Sequence, residues 1–212
     1  GMTPGDLQTG AVIITGETAR KQNANQVLAA LSDLAGDFVV ATAGPDLESV
    51  LSARGAGADK ISEEDRTVVA NLDVGGGTSN LALYQKGILK GVCCLDIGGR
   101  LIKIQDGKIT YIFHKTQALA AAHGIKISAG DRADEKTLTK VCELMAEHLA
   151  QALFLKPQDA GHLKLYTNDG KPIPAEPAVK GVTFSGGVAD YIYQPTADNV
   201  FRYGDIGVLL GR

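Results

Sequence analysis

The sequence predicts an α/β protein built on a mixed sheet, with an antiparallel meander and flanking helices. Three observations carry that prediction. Residues 11–55 alternate short apolar runs with helical periodicity. Residues 68–113 hold strand-like runs joined by short turns. Residues 134–154 form one long amphipathic pattern ahead of a last apolar run.

Ala11-Val12-Ile13-Ile14 reads as a buried strand ended by Thr15-Gly16-Glu17-Thr18. Val27, Leu28, Leu31 and Leu34 recur at helical spacing over residues 23–34, and Gly36 stops that helix. Phe38-Val39-Val40-Ala41 is a second strand, closed by Gly44-Pro45. Residues 46–54 form a second helix, with Pro45 suited to its first turn and Gly55-Ala56-Gly57 ending it. Three strands follow as a meander, over residues 68–73, 79–84 and 88–95. Gln85-Lys86-Gly87 forms the second turn, and residues 101–104 and 108–113 pair around Gln105-Asp106-Gly107. Antiparallel ribbons after a strand–helix–strand unit make the sheet mixed.

On the long helix, Leu138, Val141, Cys142, Met145, Leu149 and Leu153 make one apolar stripe, opposite Thr137, Lys140, Glu143 and Glu147. His148 is expected at the surface or half-buried. Residues 157–177 carry four prolines and Asn168-Asp169-Gly170, which reads as a connector with one small hairpin. Gly181-Val182-Thr183-Phe184 is the final strand, Ser185-Gly186-Gly187 breaks it, and residues 188–191 start a short helix. Tyr203-Gly204-Asp205-Ile206-Gly207 is another turn.

Composition narrows the function classes. The 212 residues are 44% hydrophobic and 21% charged, as in a soluble globular protein. A net charge of −3 and a pI near 5.8 argue against non-specific nucleic-acid binding. No apolar stretch is long enough to cross a membrane. The N-terminus lacks a basic-then-apolar signal pattern, and Gly1 ahead of Met2 reads as a cleavage scar outside the fold. Cys93, Cys94 and Cys142 read as reduced core residues of a cytoplasmic protein, and the histidines show no metal-ligand spacing with them.

The chemistry concentrates in Asp73-Val74-Gly75-Gly76-Gly77-Thr78-Ser79-Asn80. Glycines between two strands leave backbone N–H groups uncovered, and a concave turn of bare N–H groups suits phosphate. Asp73, at the end of the first strand, can hold hydrated Mg²⁺ beside that phosphate. Taken alone, the turn equally fits an ordinary glycine hairpin. Ser185-Gly186-Gly187, a strand followed by a glycine pair and a helix start, again exposes N–H groups and lets a flat ring approach the backbone. Alone, that corner also fits a plain chain reversal.

Together, the two glycine motifs with a long helix between them resemble the second phosphate loop and the adenosine loop of the actin/Hsp70/sugar-kinase superfamily. The resemblance implies a ribonuclease H-like (actin-like ATPase) fold. It narrows to the ethanolamine ammonia-lyase reactivating factor (EutA) family on several stretches. These are Val12-Ile13-Ile14-Thr15-Gly16-Glu17-Thr18-Ala19-Arg20, the run from Gly36-Asp37 through Gly44-Pro45-Asp46-Leu47-Glu48-Ser49, Gly55-Ala56-Gly57-Ala58, Gly98-Gly99-Arg100-Leu101, Ser185-Gly186-Gly187-Val188 and Gly204-Asp205-Ile206-Gly207.

The resemblance implies a chaperone-like ATPase of ethanolamine utilization. Such a protein would act on cobalamin-bound ethanolamine ammonia-lyase, letting damaged cobalamin leave and intact adenosylcobalamin enter. ATP/ADP and Mg²⁺ are the implied cofactors. The implied setting is cytoplasmic, associated with a bacterial microcompartment, and a homo-oligomer is compatible with the pattern. Gly75, Gly76, Gly77, Thr78 and Ser79 would hold the phosphates. Asp73 would orient Mg²⁺ or its water and serve as the catalytic carboxylate, and Ser185, Gly186 and Gly187 would lie against adenosine.

Residues 1–66 would supply part of a first lobe and the connection, and residues 67–212 the second lobe. The superfamily's earlier phosphate loop has no counterpart at Thr3 to Gly10, so the chain resembles an internal fragment whose isolated ATP hydrolysis is not expected. Ala43-Gly44-Pro45 also lacks the acidic residue found before the connecting-helix proline in the Hsp70 type, with Glu48 a weak substitute. Rival readings are a small-molecule kinase or hydantoinase-type enzyme, with Glu17 and Glu48 as candidate bases, an actin-like filament or scaffold protein, and a degenerate lobe that binds no nucleotide and serves only as an interaction surface.

Overall fold

Alternating apolar residues on the strand Val68–Val74 send side chains to both faces of a sheet, and both faces are covered. The computed structural model describes residues 11–14, 26, 39–42, 45–167, 171–195 and 199–212, with backbone only at 11–14, 39–42 and 45. The chain divides into two units, 1–48 and 49–212. In the first, β1 (Ala11–Ile14) and β2 (Val39–Thr42) pair in parallel, with Ala11 opposite Val39. The helix expected over 23–34 lies outside the described residues apart from Gln26, which is helical. Helix α1 (Pro45–Gly55) begins in this unit and ends in the next.

The second unit is built on four strands. β3 (Val68–Val74), β4 (Ser79–Gln85) and β5 (Ile88–Leu95) form the antiparallel meander, and β8 (Gly181–Ser185) joins the far edge of β3 in parallel. The order β5-β4-β3-β8 makes a mixed sheet, with three antiparallel strands and one parallel edge. The register sets Asp73 opposite Asn80 on one side and opposite Ser185 on the other. A separate hairpin joins β6 (Ile102–Gln105) and β7 (Lys108–Ile112). Both tight links put two successive residues at positive φ, Lys86 at 51° with Gly87 at 77°, and Asp106 at 51° with Gly107 at 71°. That is the mirror-image turn whose twist matches paired strands.

One sheet face carries the main core. Val68, Ala70, Leu72 and Val74 of β3 cluster with Leu81, Leu83, Cys93 and Leu95. The stripe of α4 (Glu135–Ala152) joins the same cluster, with Leu138, Val141, Cys142, Met145 and Leu149 buried as the spacing predicts. Asp134 caps that helix by accepting from the Thr137 N–H at 2.8 Å and its hydroxyl at 2.7 Å, which holds the carboxyl below its usual range. Burial pushes the Cys142 thiol up to about 12, so this cysteine stays a protonated core residue. The opposite face is narrower, where Ala53 and Ala58 pack on Val69, Ala82 and Tyr84.

Among the described residues, three helices were not anticipated, the last over Gly207–Leu210. α2 (Ala58–Glu64) has one large apolar residue, Ile61, and that residue is exposed, while Ala58 and Ser62 face inward. α3 (His114–Ala122) buries Thr116, Leu119 and Ala120, too short an apolar pattern to register as a stripe. The tip expected at Asn168-Asp169-Gly170 lies outside the described residues. Near it, Tyr166 bridges to Leu95 after a single 3₁₀ turn, His162–Leu165. The C-terminal segment adds α5 (Ala189–Tyr193) and α6 (Gly207–Leu210).

His148 corrects the expectation of a surface or half-buried side chain, since it is 2% exposed. The inward face of α4 is wider than its apolar stripe because a second buried histidine meets it. His148 Nδ1 lies 3.3 Å from His162 Nδ1, and His162 Nε2 lies 3.2 Å from the Tyr166 hydroxyl. One ring must donate across the Nδ1 pair and the other accept, so the contact excludes double protonation.

Burial lowers both histidines below their ordinary value of 6.5, and for His162 the charge of His148 adds to the effect. The folded chain therefore resists protons that the unfolded chain accepts. The stability from this pair is complete above the ordinary value and is lost as pH falls through the lowered ones. Urea unfolding should give a lower midpoint at about pH 5.5 than at about pH 7.5. A His162→Gln variant should reduce that difference, and an equal difference in the variant would assign the effect elsewhere.

Candidate functional site

The glycine turn is shaped by backbone approach rather than by unusual dihedrals, since none of Gly75, Gly76 and Gly77 has a positive φ. The Gly75 N–H donates to the Thr78 carbonyl at 2.9 Å and closes the turn from inside. A second loop then clasps it from outside. Gly99 N–H donates to the Gly75 carbonyl at 3.0 Å, and Arg100 N–H donates to the Gly76 carbonyl at 2.6 Å. A Cβ on Gly98 would sit 2.5 Å from the Gly76 carbonyl oxygen, and one on Gly99 would sit 2.7 Å from Gly207 Cα. The carbonyls of Gly75, Gly76 and Thr78 are thereby engaged, Gly76 is the exposed residue of the turn, and Gly98 packs against Gly77 N.

Asp73 stands at the end of β3, between strand and turn. Its Oδ2 accepts from the Ser52 hydroxyl of α1 at 2.9 Å, and its Oδ1 accepts from the Ser185 hydroxyl of β8 at 3.0 Å. The chain of polar groups continues along the sheet. Asn71 Nδ2 donates to Ser185 Oγ at 3.0 Å, and the Thr183 hydroxyl donates to Asn71 Oδ1 at 2.9 Å. The carboxylate is thus fixed in place by hydroxyls, with lone pairs left on both oxygens. Among the described residues no group of three His, Cys, Asp or Glu could enclose a metal ion. The donor set therefore fits a Mg²⁺ that keeps its waters and takes one carboxylate beside phosphate oxygens.

The serine–glycine corner lies against this carboxylate. Gly186, at φ +84°, packs so closely that a Cβ would meet the Val74 carbonyl oxygen at 2.5 Å and Asp73 Oδ1 at 2.8 Å, and the Val188 N–H donates to that same carbonyl at 3.2 Å. The structure brings the two glycine motifs together at the end of β3. Between them opens a cavity of about 260 Å³, lined by Gly75, Gly76, Gly99, Arg100, Gly187, Val188, Tyr191, Tyr203, Asp205 and Gly207.

The predicted residues do not all face that cavity. Gly75, Gly76 and Gly187 line it, and Gly187 has open space where a Cβ would stand. Thr78 is buried. Ser79 is fully buried, and its hydroxyl donates to the Ile97 carbonyl at 2.8 Å, which holds the strand rather than reaching the cleft. Ser185 and Gly186 serve Asp73 and the turn. Glu48 lies in α1, and Glu17 lies outside the described residues.

Sequence reasoning missed the aromatic and charged wall. Tyr191 and Tyr203 have ring centroids 6.2 Å apart, with the Arg202 guanidinium 5.7 Å and 4.7 Å from their centres. Arg100 Nε pairs with Asp205 Oδ2 at 3.3 Å. The stretches Gly98-Gly99-Arg100 and Gly204-Asp205-Ile206-Gly207 were the available signal, since both sit beside glycines that permit close approach.

Gly186 and Gly187 give a paired test. Gly186→Ala should destabilise by about 1–3 kcal/mol, through a strained φ and a Cβ driven into the β3 backbone. Gly187→Ala should stay within about 0.5 kcal/mol of the parent. Urea melts check both, and equal effects would show that the corner does not rest on β3.

Comparison with known proteins shows the family. The family model described as ethanolamine utilisation protein EutA matches residues 1–212. The chain is 37% identical over 220 residues to the ethanolamine ammonia-lyase reactivase EutA of Salmonella typhimurium, covering 99% of this chain and 44% of that one. It is 37% identical over 217 residues to the reactivase of the same name from Escherichia coli, with the same coverage. The chain thus spans less than half the length of these curated relatives. Among solved structures, the Aquifex aeolicus PPX-GPPA enzyme is similar at 17% identity and a TM-score of 0.46, over 88% of this chain and 48% of that one. MreB 5 of Spiroplasma citri bound to AMPPNP is similar at 14% identity and a TM-score of 0.37, over 84% and 56%. With the whole of its length matched by the family model, the chain belongs to the ethanolamine utilisation protein EutA family.

Proposed function

We propose that this chain is the phosphate-gripping part of an ATP-dependent reactivating factor for ethanolamine ammonia-lyase. The observation that carries the reading is the joining of the two glycine motifs around Asp73, with Gly75, Gly76 and Gly187 lining one cavity. In this reading residues 67–212 form one lobe of an actin-like ATPase, and residues 1–66 belong to the other lobe and the connection. The bare turn binds phosphate oxygens at Gly76, with Gly75 and Gly77 on either side. Asp73 orients a water of the nucleotide's Mg²⁺, which supplies charge neutralisation when bound, and Gly187 gives the nucleoside room beside the backbone.

ATP can do work on a partner only if it binds two lobe arrangements with different affinity. The partner in this reading is cobalamin-bound ethanolamine ammonia-lyase, and the work is exchange of damaged cobalamin for intact adenosylcobalamin. Support comes from the family, from the names of the curated relatives, and from a carboxylate fixed by two hydroxyls beside a bare turn. Among the described residues no helix is long and apolar enough to cross a membrane.

Two measurements test the reading, both on a full-length chain carrying this segment. Asp73→Ala and Gly76→Val should each weaken MgATP binding by about tenfold or more in titration calorimetry. Gly76 has no positive φ, and the Cβ would meet only the flexible Arg100 side chain, so the valine fills the cleft without breaking the turn. Unchanged affinity in both variants would remove the phosphate assignment. Separately, MgATP with fresh adenosylcobalamin should restore turnover to cobalamin-inactivated lyase. No recovery would remove the reactivase reading and leave the nucleotide site standing.

A further inference from the structure

We infer that Arg100 is a second anchor for the polyphosphate, a cation built onto the glycine turn that supplies the charge the turn lacks. The inference rests on the nucleotide reading above and extends it to a residue outside both glycine motifs. The placement of Arg100 is fixed by backbone before its side chain begins. Its N–H donates to the Gly76 carbonyl at 2.6 Å, and the two preceding glycines have no room for a Cβ. The side-chain stem then runs along the turn, with Cβ, Cγ and Cδ at 3.5, 3.5 and 3.3 Å from where a Cβ on Gly76 would lie.

The guanidinium is aimed by a buried carboxylate. Asp205 is 7% exposed, its Oδ1 accepts the Gly207 N–H at 2.9 Å, and its Oδ2 meets Arg100 Nε at 3.3 Å. Asp205 is itself held by its bridge to Lys103 and by the Ile104 N–H donating to the Gly204 carbonyl at 2.8 Å. The Arg100 side chain nevertheless remains 70% exposed. Among the described residues its terminal nitrogens have no polar partner, and Arg100 lines the same cavity as Gly75 and Gly76.

An ion pair this exposed contributes little to stability. Its effect is on position, because Nε is committed to Asp205 while the two terminal nitrogens stay available in a fixed fork. That fork matches two oxygens of one phosphate, or one oxygen from each of two neighbouring phosphates. Neutral N–H groups alone select poorly between a triphosphate and a monophosphate, whereas a fixed cation gains with each added negative charge. Arg100 would therefore set the preference of the cleft for a polyphosphate chain over the nucleoside it carries.

The test compares full-length wild type, Arg100→Gln and Arg100→Lys with ATP, ADP and AMP as their Mg²⁺ complexes, by calorimetry at two salt concentrations. Arg100→Gln should weaken ATP by about tenfold to a hundredfold, ADP by less and AMP by under about twofold. It should also flatten the salt dependence of ATP binding. Arg100→Lys should recover part of the ATP loss, because charge returns without the fork. Because Asp205 keeps the Gly207 N–H, melting temperatures should fall by no more than a few degrees, about equally for both variants. Equal losses for all three nucleotides, or no loss for ATP, would overturn the role of Arg100 while leaving the nucleotide reading intact. Wild type that binds none of the three would overturn that reading and this inference together.

Discussion

The site depends on a clasp between two loops held by backbone hydrogen bonds. Gly75 and Gly76 offer their carbonyls to the N–H groups of Gly99 and Arg100, and Gly98 lets the backbones come together at a separation where a methyl group would collide. Everything chemical about the turn follows from that. With the Gly75 and Gly76 carbonyls occupied, the proposed phosphate role falls to the N–H side of the turn. The same clasp delivers Arg100 to the rim and seats Gly99 against Gly207, so the C-terminal segment closes the other side of the cavity.

Asp73 plays the corresponding part for the strands. α1, β3 and β8 each contribute one group to a short relay, Ser52, Asp73 and Ser185, and the parallel register of β8 on β3 makes it possible. The serine of the second glycine motif is therefore best understood through the aspartate of the first. Residues that look like two separate ligand loops in the chain are one hydrogen-bonded unit in space.

Much of this was legible in the sequence. Apolar runs over 68–95 are separated by turn residues, and Lys86-Gly87 and Asp106-Gly107 are turn pairs whose dihedral demand few residues meet, so the meander and the second hairpin could be placed. The stripe on α4 was equally plain. What failed to show was anything decided by partners far away. His148 reads as polar on a helix until His162 is found beside it, fourteen residues on and across a connector. α2 gave no signal because its buried positions are Ala58 and Ser62, small residues that approach a sheet closely without raising hydrophobicity. In the site, the glycines were visible, but Ser79 was assigned outward when the strand pleat turns it inward. Arg100, Tyr191 and Tyr203 needed the fold to bring loops a hundred residues apart together.

β3 has a neighbour on both edges, β4 and β8, and a layer on both faces. Its amides are released to solvent only by events that dismantle the sheet, so hydrogen exchange there reports near-global unfolding. The glycine turn hangs from the end of that strand and inherits its rigidity. Any motion that a ligand drives must then arise in the segments that merely lean on it, the short helices and loops after Ser185, while the turn acts as their stationary anvil.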